Sequence, residues 1–170
     1  MKPDIRIGIG YDSHQLMIDR PLVLGGVIIP HPRGLMGHSD ADVVLHAIAD
    51  SLLGAAGLGD IGMHFPDSDK KYKDIKSTKI LAEVFRKIVK KGYQVGNIDV
   101  VIIAEAPKLA SHFPVMKSKI AGILLVDEDD ISIKATTNEK MGFVGREEGI
   151  TATAVALIYK DDGTIINSDK

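Results

Sequence analysis

Cysteine and tryptophan are absent from this 170-residue chain, and the aromatic set is thin, with four Tyr and four Phe. Without Cys there is no disulfide, and a zinc site can only be built from His and carboxylates. Such donor sets leave a position for water or substrate more often than structural Cys sites do. Few aromatic rings leave little surface on which to stack nucleobases. The 21 basic and 23 acidic side chains give a net charge of -2 with no polybasic block, so nucleic acid is not an expected partner. No apolar run reaches the roughly 20 residues of a membrane span, and membrane partners are not expected either. Met1-Lys2-Pro3-Asp4 leads straight into an apolar strand rather than a leader segment, which reads as a cytoplasmic protein.

Hydrophobic residues make up 45% and charged residues 26%, the balance of an ordinary globular domain. The length suits one domain over 1–160, followed by a polar tail over 161–170. Residues 5–11 read as a strand, and 22–29 as a hairpin turning at Gly25-Gly26. Residues 30–34 read as a loop. Ser39 is expected to cap a helix that runs to Ala55 or Ala56, with Asp42 at the capping-box spacing and Gly57 and Gly59 as stops. The stretch 57–73 is polar and rich in Gly and Asp. Ile80, Leu81, Val84, Ile88 and Val89 recur at helical spacing up to Gly92. Residues 98–104, 131–135 and 150–159 read as strands, and 109–125 as a helix that tolerates Pro114 in its first turn. The loop 136–149 is rich in Thr, Gly and charge. Strands and amphipathic helices around one mixed sheet define an α/β (α+β) fold.

Within this frame Asp12 and His14 stand two apart, so on an extended strand they point to one face and can converge on a divalent metal. Alone, an Asp-x-His triplet is more often a turn or a strand-end hydrogen bond than a metal site. Asp42, His46 and Asp50 recur at four-residue spacing on the first long helix, which makes His46 the candidate third ligand, with Asp42 and Asp50 as acids that orient it. A solvated polar stripe would show the same spacing. His38 and Ser39 stand where that helix begins, a place that favours an anion, and together with a metal this suggests a phosphorylated substrate. Asp60 and Asp67 are candidates to hydrogen-bond substrate hydroxyls, or ordinary turn residues. Glu139, after the two hydroxyls of Thr136 and Thr137, suits Mg²⁺ on phosphates.

Taken in order, Asp12-Ser13-His14, His38-Ser39-Asp40-Ala41-Asp42 with His46, Gly59-Asp60-Ile61-Gly62 through Phe65-Pro66-Asp67, Ala106-Pro107-Lys108, Lys134-Ala135-Thr136-Thr137 with Glu139, and Gly145-Arg146 with Glu148-Gly149-Ile150 closely resemble the 2-C-methyl-D-erythritol 2,4-cyclodiphosphate synthase family. The likeness runs from about Arg6 to Tyr159. It implies a mixed-sheet subunit with helices on one face, assembled as a homotrimer whose active sites lie between subunits. It also implies conversion of 4-diphosphocytidyl-2-C-methyl-D-erythritol 2-phosphate to the cyclic diphosphate and CMP. By the same resemblance Asp12, His14 and His46 hold Zn²⁺, and Glu139 holds Mg²⁺ or Mn²⁺ on the diphosphate arm. His38 and Thr137 would stabilise the transition state, with Ser39 at a phosphate. Asp60, Ile61, Gly62, Phe65 and Asp67 would contact the methylerythritol part. Ala104, Ala106, Pro107, Lys108, Ala110 and Thr136 would contact the cytidine. Phe143 and Arg146 complete the substrate-binding set, with Arg146 and Glu148 near a threefold axis where some members hold an isoprenoid-like ligand.

Two positions depart from the family pattern: Glu105 stands where Gln is common, and Asn138 where Thr is frequent. Two other functions share the metal and anion features. A metal-dependent phosphohydrolase would use water as the nucleophile, and a non-catalytic scaffold would bind isoprenoid phosphates without turnover.

Overall fold

The computed structural model of the chain describes residues 4–66, 68–72 and 74–160. Its strands are β1 (Ile5–Ile18), β2 (Leu22–Leu24), β3 (Val27–Ile29), β4 (Arg33–Leu35), β5 (Gln94–Ile103), β6 (Ile131–Thr136) and β7 (Gly149–Tyr159). Its helices are α1 (Val43–Ala55), α2 (Ile61–His64), α3 (Ser77–Lys90), α4 (Phe113–Leu124) and α5 (Gly142–Gly145). A five-stranded sheet has the order β4-β1-β7-β5-β6, and β2 and β3 form a separate hairpin. Only the β5–β6 pair is parallel, so the sheet is mixed as expected. Among the described residues no helix is long and apolar enough to cross a membrane.

β1 and β7 pair without interruption from Ile5↔Tyr159 to Gln15↔Gly149. Period-2 alternation sends Ile150, Ala152, Ala154, Ala156 and Ile158 of β7 to one face, all of them fully buried. The matching positions of β1 are Gly8 and Gly10. A Cβ on Gly10 would lie 2.0 Å from the Ala47 carbonyl oxygen, and one on Gly8 the same distance from that of Ser51. Helix α1 therefore rests directly on the strand backbone. Four helical residues advance about 6 Å and two strand residues about 6.8 Å, so the two elements stay in step. Gly8 meets Ser51 and Ala55, and Gly10 meets Ala47 and Ser51; further along the seam Asp12 lies beside His46, the residue before Ala47.

α1 is apolar nearly all round and buried accordingly, with Val43, Val44, Leu45, Ala47, Ile48, Leu52 and Leu53 inside the core. α3 packs on it through Ile80, Leu81, Val84 and Ile88, and α4 covers β6 with Met116, Ile120 and Leu124. Pro114 falls at the start of α4, where its missing N–H costs nothing. Among the described residues no helix covers the opposite sheet face: Ile7 is 68% and Ile9 71% exposed, with Ile5, Tyr11 and Val155 beside them.

Three expectations from sequence change. β1 continues to Ile18, seven residues past the apolar run 5–11, so the Asp-x-His triplet lies within the strand. Its added length pairs with β4, which occupies part of the region read as loop; three residues straight after Pro32 carry no strand period, and only pairing with Leu16–Ile18 makes them one. β5 begins at Gln94 because a bulge at Gly96 carries the ladder past an unpaired residue. The polar tail 161–170 lies outside the described residues.

The β1–α1 seam predicts that Gly10→Ala, by wedging a methyl against the helix backbone, lowers stability by about 1–3 kcal/mol in urea denaturation. Gly122→Ala in α4, where an added Cβ meets nothing within 4 Å, should instead stabilise by about 0.5–1 kcal/mol.

Candidate metal centre and substrate cavity

The start of α1 is organised by Asp42, not by Ser39. Asp42 is the N-cap and is fully buried; its Oδ1 accepts from the N–H groups of Val44 and Leu45 at 3.1 Å. The same carboxylate accepts from Gly25 N at 2.9 Å and Gly26 N at 2.6 Å, at the hairpin turn where both glycines have positive φ. Burial pushes its pKa up to about 6 against these four donors, which favour the carboxylate. The Asp42 carboxylate thus ties the hairpin to the helix and makes no hydrogen bond to the His46 imidazole. Asp50 likewise is turned elsewhere, accepting from Ile61 N at 2.8 Å, so neither acid is the orienting partner expected from the four-residue spacing. Ser39 accepts from Ala41 N at 3.0 Å and braces a loop in which Ala41 holds φ 55°. Arg20, which no sequence signal marks, donates to Gly37 O and Ser39 O and fixes that loop from outside.

Asp12, His14 and His46 do converge. Among the described residues they form the group able to hold a metal ion, with ligand atoms all within 4.8 Å of one another. Asp12 Oδ2 lies 2.8 Å from His46 Nδ1 and 3.1 Å from His14 Nε2, and the two imidazole nitrogens are 3.4 Å apart. Burial alone would raise the Asp12 pKa, but hydrogen bonds from His14 and His46 outweigh it and hold the carboxyl well below the usual range. Burial opposes charge on His14, yet Asp12 and the Met36 carbonyl raise its pKa. The remote nitrogens are engaged as well. His14 Nδ1 is 2.6 Å from Met36 O, and His46 Nε2 is 2.9 Å from Ser77 Oγ and 3.3 Å from Ser39 Oγ. One carboxylate and two imidazoles, each steadied on its far side, form a donor set that fits a divalent ion with an open position.

The triad lies in the wall of a cavity of about 480 Å³ that is also lined by His38, Ser39, Asp50, Ile61, Gly62 and Phe65. Asp60 faces away from it and caps α2 through Met63 N at 2.9 Å. Asp67 lies outside the described residues. A larger cavity of about 630 Å³ behind Ser39 and Asp40 gathers Lys76, Lys119 and Arg20 but no converging ligand set.

The remaining candidates lie across the sheet. A cavity of about 260 Å³ is lined by Ala104, Glu105, Pro107, Lys108, Leu109, Ala110, Thr136 and Thr137; Ala106 joins Pro107 by a cis peptide bond but is not in its wall. β1 and β6 are separated by β7 and β5, so Thr136 stands three strand spacings, about 14 Å, from the triad's strand. Thr137 Oγ1 donates to Glu139 Oε1 at 3.2 Å, and Glu139 and Lys140 hold φ of 50° and 59°, backbone that non-glycine residues adopt reluctantly. Glu105 Oε1 accepts from Asn138 N and Lys140 N, pinning this strained turn. Both departures from the family pattern thus meet in one backbone contact, which an amide oxygen would serve as well. Phe143, by contrast, lines a fourth hollow on the triad's side with His14 and Glu148, and Arg146 pairs with Glu148 at 2.8 Å.

The model of the YgbB family matches residues 5–159. A Desulforamulus reducens protein named 2-C-methyl-D-erythritol 2,4-cyclodiphosphate synthase is 58% identical over 156 residues, 92% of this chain and 99% of that one. Among solved structures, the bifunctional IspDF from Campylobacter jejuni aligns with a TM-score of 0.92 and 42% identity over 96% of this chain, which spans 44% of that longer protein. The CDP complex of IspF from Plasmodium falciparum aligns with a TM-score of 0.83 and 36% identity, covering 95% of this chain and all of that one.

Removing His46 and removing Asp42 should have opposite signatures. His46→Ala is expected to lose stoichiometric divalent metal, read by metal analysis, with little change in the unfolding midpoint of the metal-free protein. Asp42→Ala strands four buried N–H donors and should cost about 2–4 kcal/mol in urea denaturation.

Proposed function

The chain belongs to the YgbB family, and from that premise we propose that it closes 4-diphosphocytidyl-2-C-methyl-D-erythritol 2-phosphate into 2-C-methyl-D-erythritol 2,4-cyclodiphosphate, releasing CMP. An oxygen of the substrate's 2-phosphate attacks the phosphorus nearer the methylerythritol. The bond from that phosphorus to the oxygen bridging the two phosphates breaks, and CMP leaves with the bridging oxygen. The substrate brings its own nucleophile, so the protein's work is positioning and charge neutralisation. The observation that carries this reading is the convergence of Asp12, His14 and His46 in the wall of a cavity that His38 and Ser39 share.

In this proposal Asp12, His14 and His46 hold Zn²⁺ and Glu139 holds Mg²⁺ or Mn²⁺. Such ions, when bound, supply Lewis-acid neutralisation of phosphate oxygens. His38 and Ser39 donate to a phosphate from the cavity wall. Ile61, Gly62 and Phe65 shape the pocket for the methylerythritol, and the hollow at Ala104–Thr137 takes the cytosine nucleoside. Thr137 donates to the leaving phosphate.

Catalysis on one diphosphate needs these two groups within a few ångströms of each other, while a single sheet keeps them about 14 Å apart. We therefore propose that the triad of one copy meets the nucleoside hollow of the next. Each copy would give one half-site and receive another in a closed symmetric assembly, for which we propose a ring of three copies. The uncovered face of Ile5, Ile7, Ile9, Tyr11 and Val155 supports such an assembly, because an apolar patch of this kind marks a binding surface. Arg146 and Glu148 are proposed to border the axis of a homotrimer, where an isoprenoid-like ligand would sit. The proposed setting is the cytoplasm.

Turnover of the diphosphocytidyl substrate should give CMP and the cyclic diphosphate by ³¹P NMR. CMP with an acyclic product would instead establish the phosphohydrolase. Ile9→Asp should shift the sedimentation coefficient from trimer to monomer and abolish turnover, whereas an active monomer would remove the shared site. Glu139→Gln should lower activity and raise the Mg²⁺ requirement with zinc content unchanged; zinc lost in equal measure would mean that the two ion sites are wrongly assigned.

A further inference from the structure

Asp40 and Ser77 have no role in the chemistry above, yet they form a chain of side chains that ends on a candidate metal ligand. Asp40 lies in the loop before α1, and Ser77 is the fully buried first residue of α3. Asp40 Oδ1 accepts from the backbone N–H of Ser77 at 3.0 Å and also from its hydroxyl. Ser77 Oγ in turn lies 2.9 Å from His46 Nε2.

We propose that Ser77, set by Asp40, is a positioning residue that presents His46 Nδ1 to the metal; the inference rests on reading Asp12, His14 and His46 as the ligand set. The direction of each hydrogen bond follows from the one before it. An ionised carboxylate only accepts, so the Ser77 proton is committed to Asp40. The hydroxyl then offers His46 only lone pairs, and the imidazole must donate from Nε2. With that nitrogen carrying its proton, Nδ1 is the one left to offer a lone pair. Nδ1 is also the nitrogen that faces Asp12 Oδ2 and His14 Nε2. For His14 the same service comes from a backbone carbonyl, that of Met36, which no substitution removes. Ser39 Oγ is a poorer partner for His46 because it is more distant, at 3.3 Å, and already accepts from Ala41 N.

A purely structural role for Ser77 makes a different prediction. α3 has no cap from its own N-cap residue, Lys76, and Asp40 supplies one through the Ser77 backbone N–H. Ser77→Ala keeps that N–H and deletes only the hydroxyl, so it separates helix capping from ligand orientation.

The test compares wild type and Ser77→Ala by chelator competition for zinc and by NMR of zinc-loaded protein carrying ¹⁵N-histidine. Ser77→Ala is expected to bind zinc about 10- to 100-fold more weakly. Its His46 Nε2–H resonance, downfield and slow to exchange in wild type, should move upfield and exchange faster. The unfolding midpoint of the metal-free protein should stay close to wild type. Zinc affinity within twofold of wild type, or an unmoved Nε2–H resonance, overturns the role of Ser77 while leaving the ligand set intact. A wild type that takes up no zinc, or a His46→Ala variant that retains it, overturns the ligand set itself and this inference with it.

Discussion

The site depends on the absence of two side chains. Gly8 and Gly10 let α1 lie against the backbone of β1, closer than any residue with a Cβ would allow. The rises of helix and strand match over that contact, so α1 follows β1 closely enough for His46, the residue before Ala47, to reach the strand carboxylate of Asp12. The short distance from Asp12 to His46 is thus a packing result before it is a chemical one. The alanines of β7 widen the same shallow bed, and the burial of α1 on nearly every side holds it there.

Around this contact the polar groups divide into those that hold the scaffold and those that face the cavity. Asp42, though in sequence step with His46, spends all its hydrogen-bonding capacity on backbone N–H groups of the hairpin turn and the helix start. Asp50 does the same for the start of α2. Arg20 and Ser39 hold the intervening loop in a conformation that includes a left-handed alanine. Rigid support of this kind allows three ligand atoms to stay close without a long loop to collapse between them.

The proposed second half-site lies on the far side of the sheet, where Glu105 pins the strained turn at Glu139 and Lys140. Strain retained beside two hydroxyls and a carboxylate is consistent with a turn shaped for binding rather than for stability. Its separation from the triad and the bare apolar face of the sheet fit together: the surface that a single copy leaves open is the one through which copies would complete each other's sites.

Much of this was legible in the residues. Alternation and helical spacing identified most long elements, the Gly25-Gly26 turn and the place of Pro114, because local periodicity reports directly on which face is buried. The convergence of Asp12 and His14 follows from strand geometry alone, and helical spacing marks His46 as their candidate partner. Family-specific motifs added the reaction. What local pattern could not supply was any contact made by distant segments. A three-residue β4 exists only through pairing with β1, and β5 starts early only because of a bulge. Four-residue spacing put Asp42 and Asp50 beside His46, but the partner of its far nitrogen is Ser77, 31 residues away on another helix. A sequence specifies which groups share a face; only the packed chain decides which of them meet, because direction and distance between segments are set by the core that separates them.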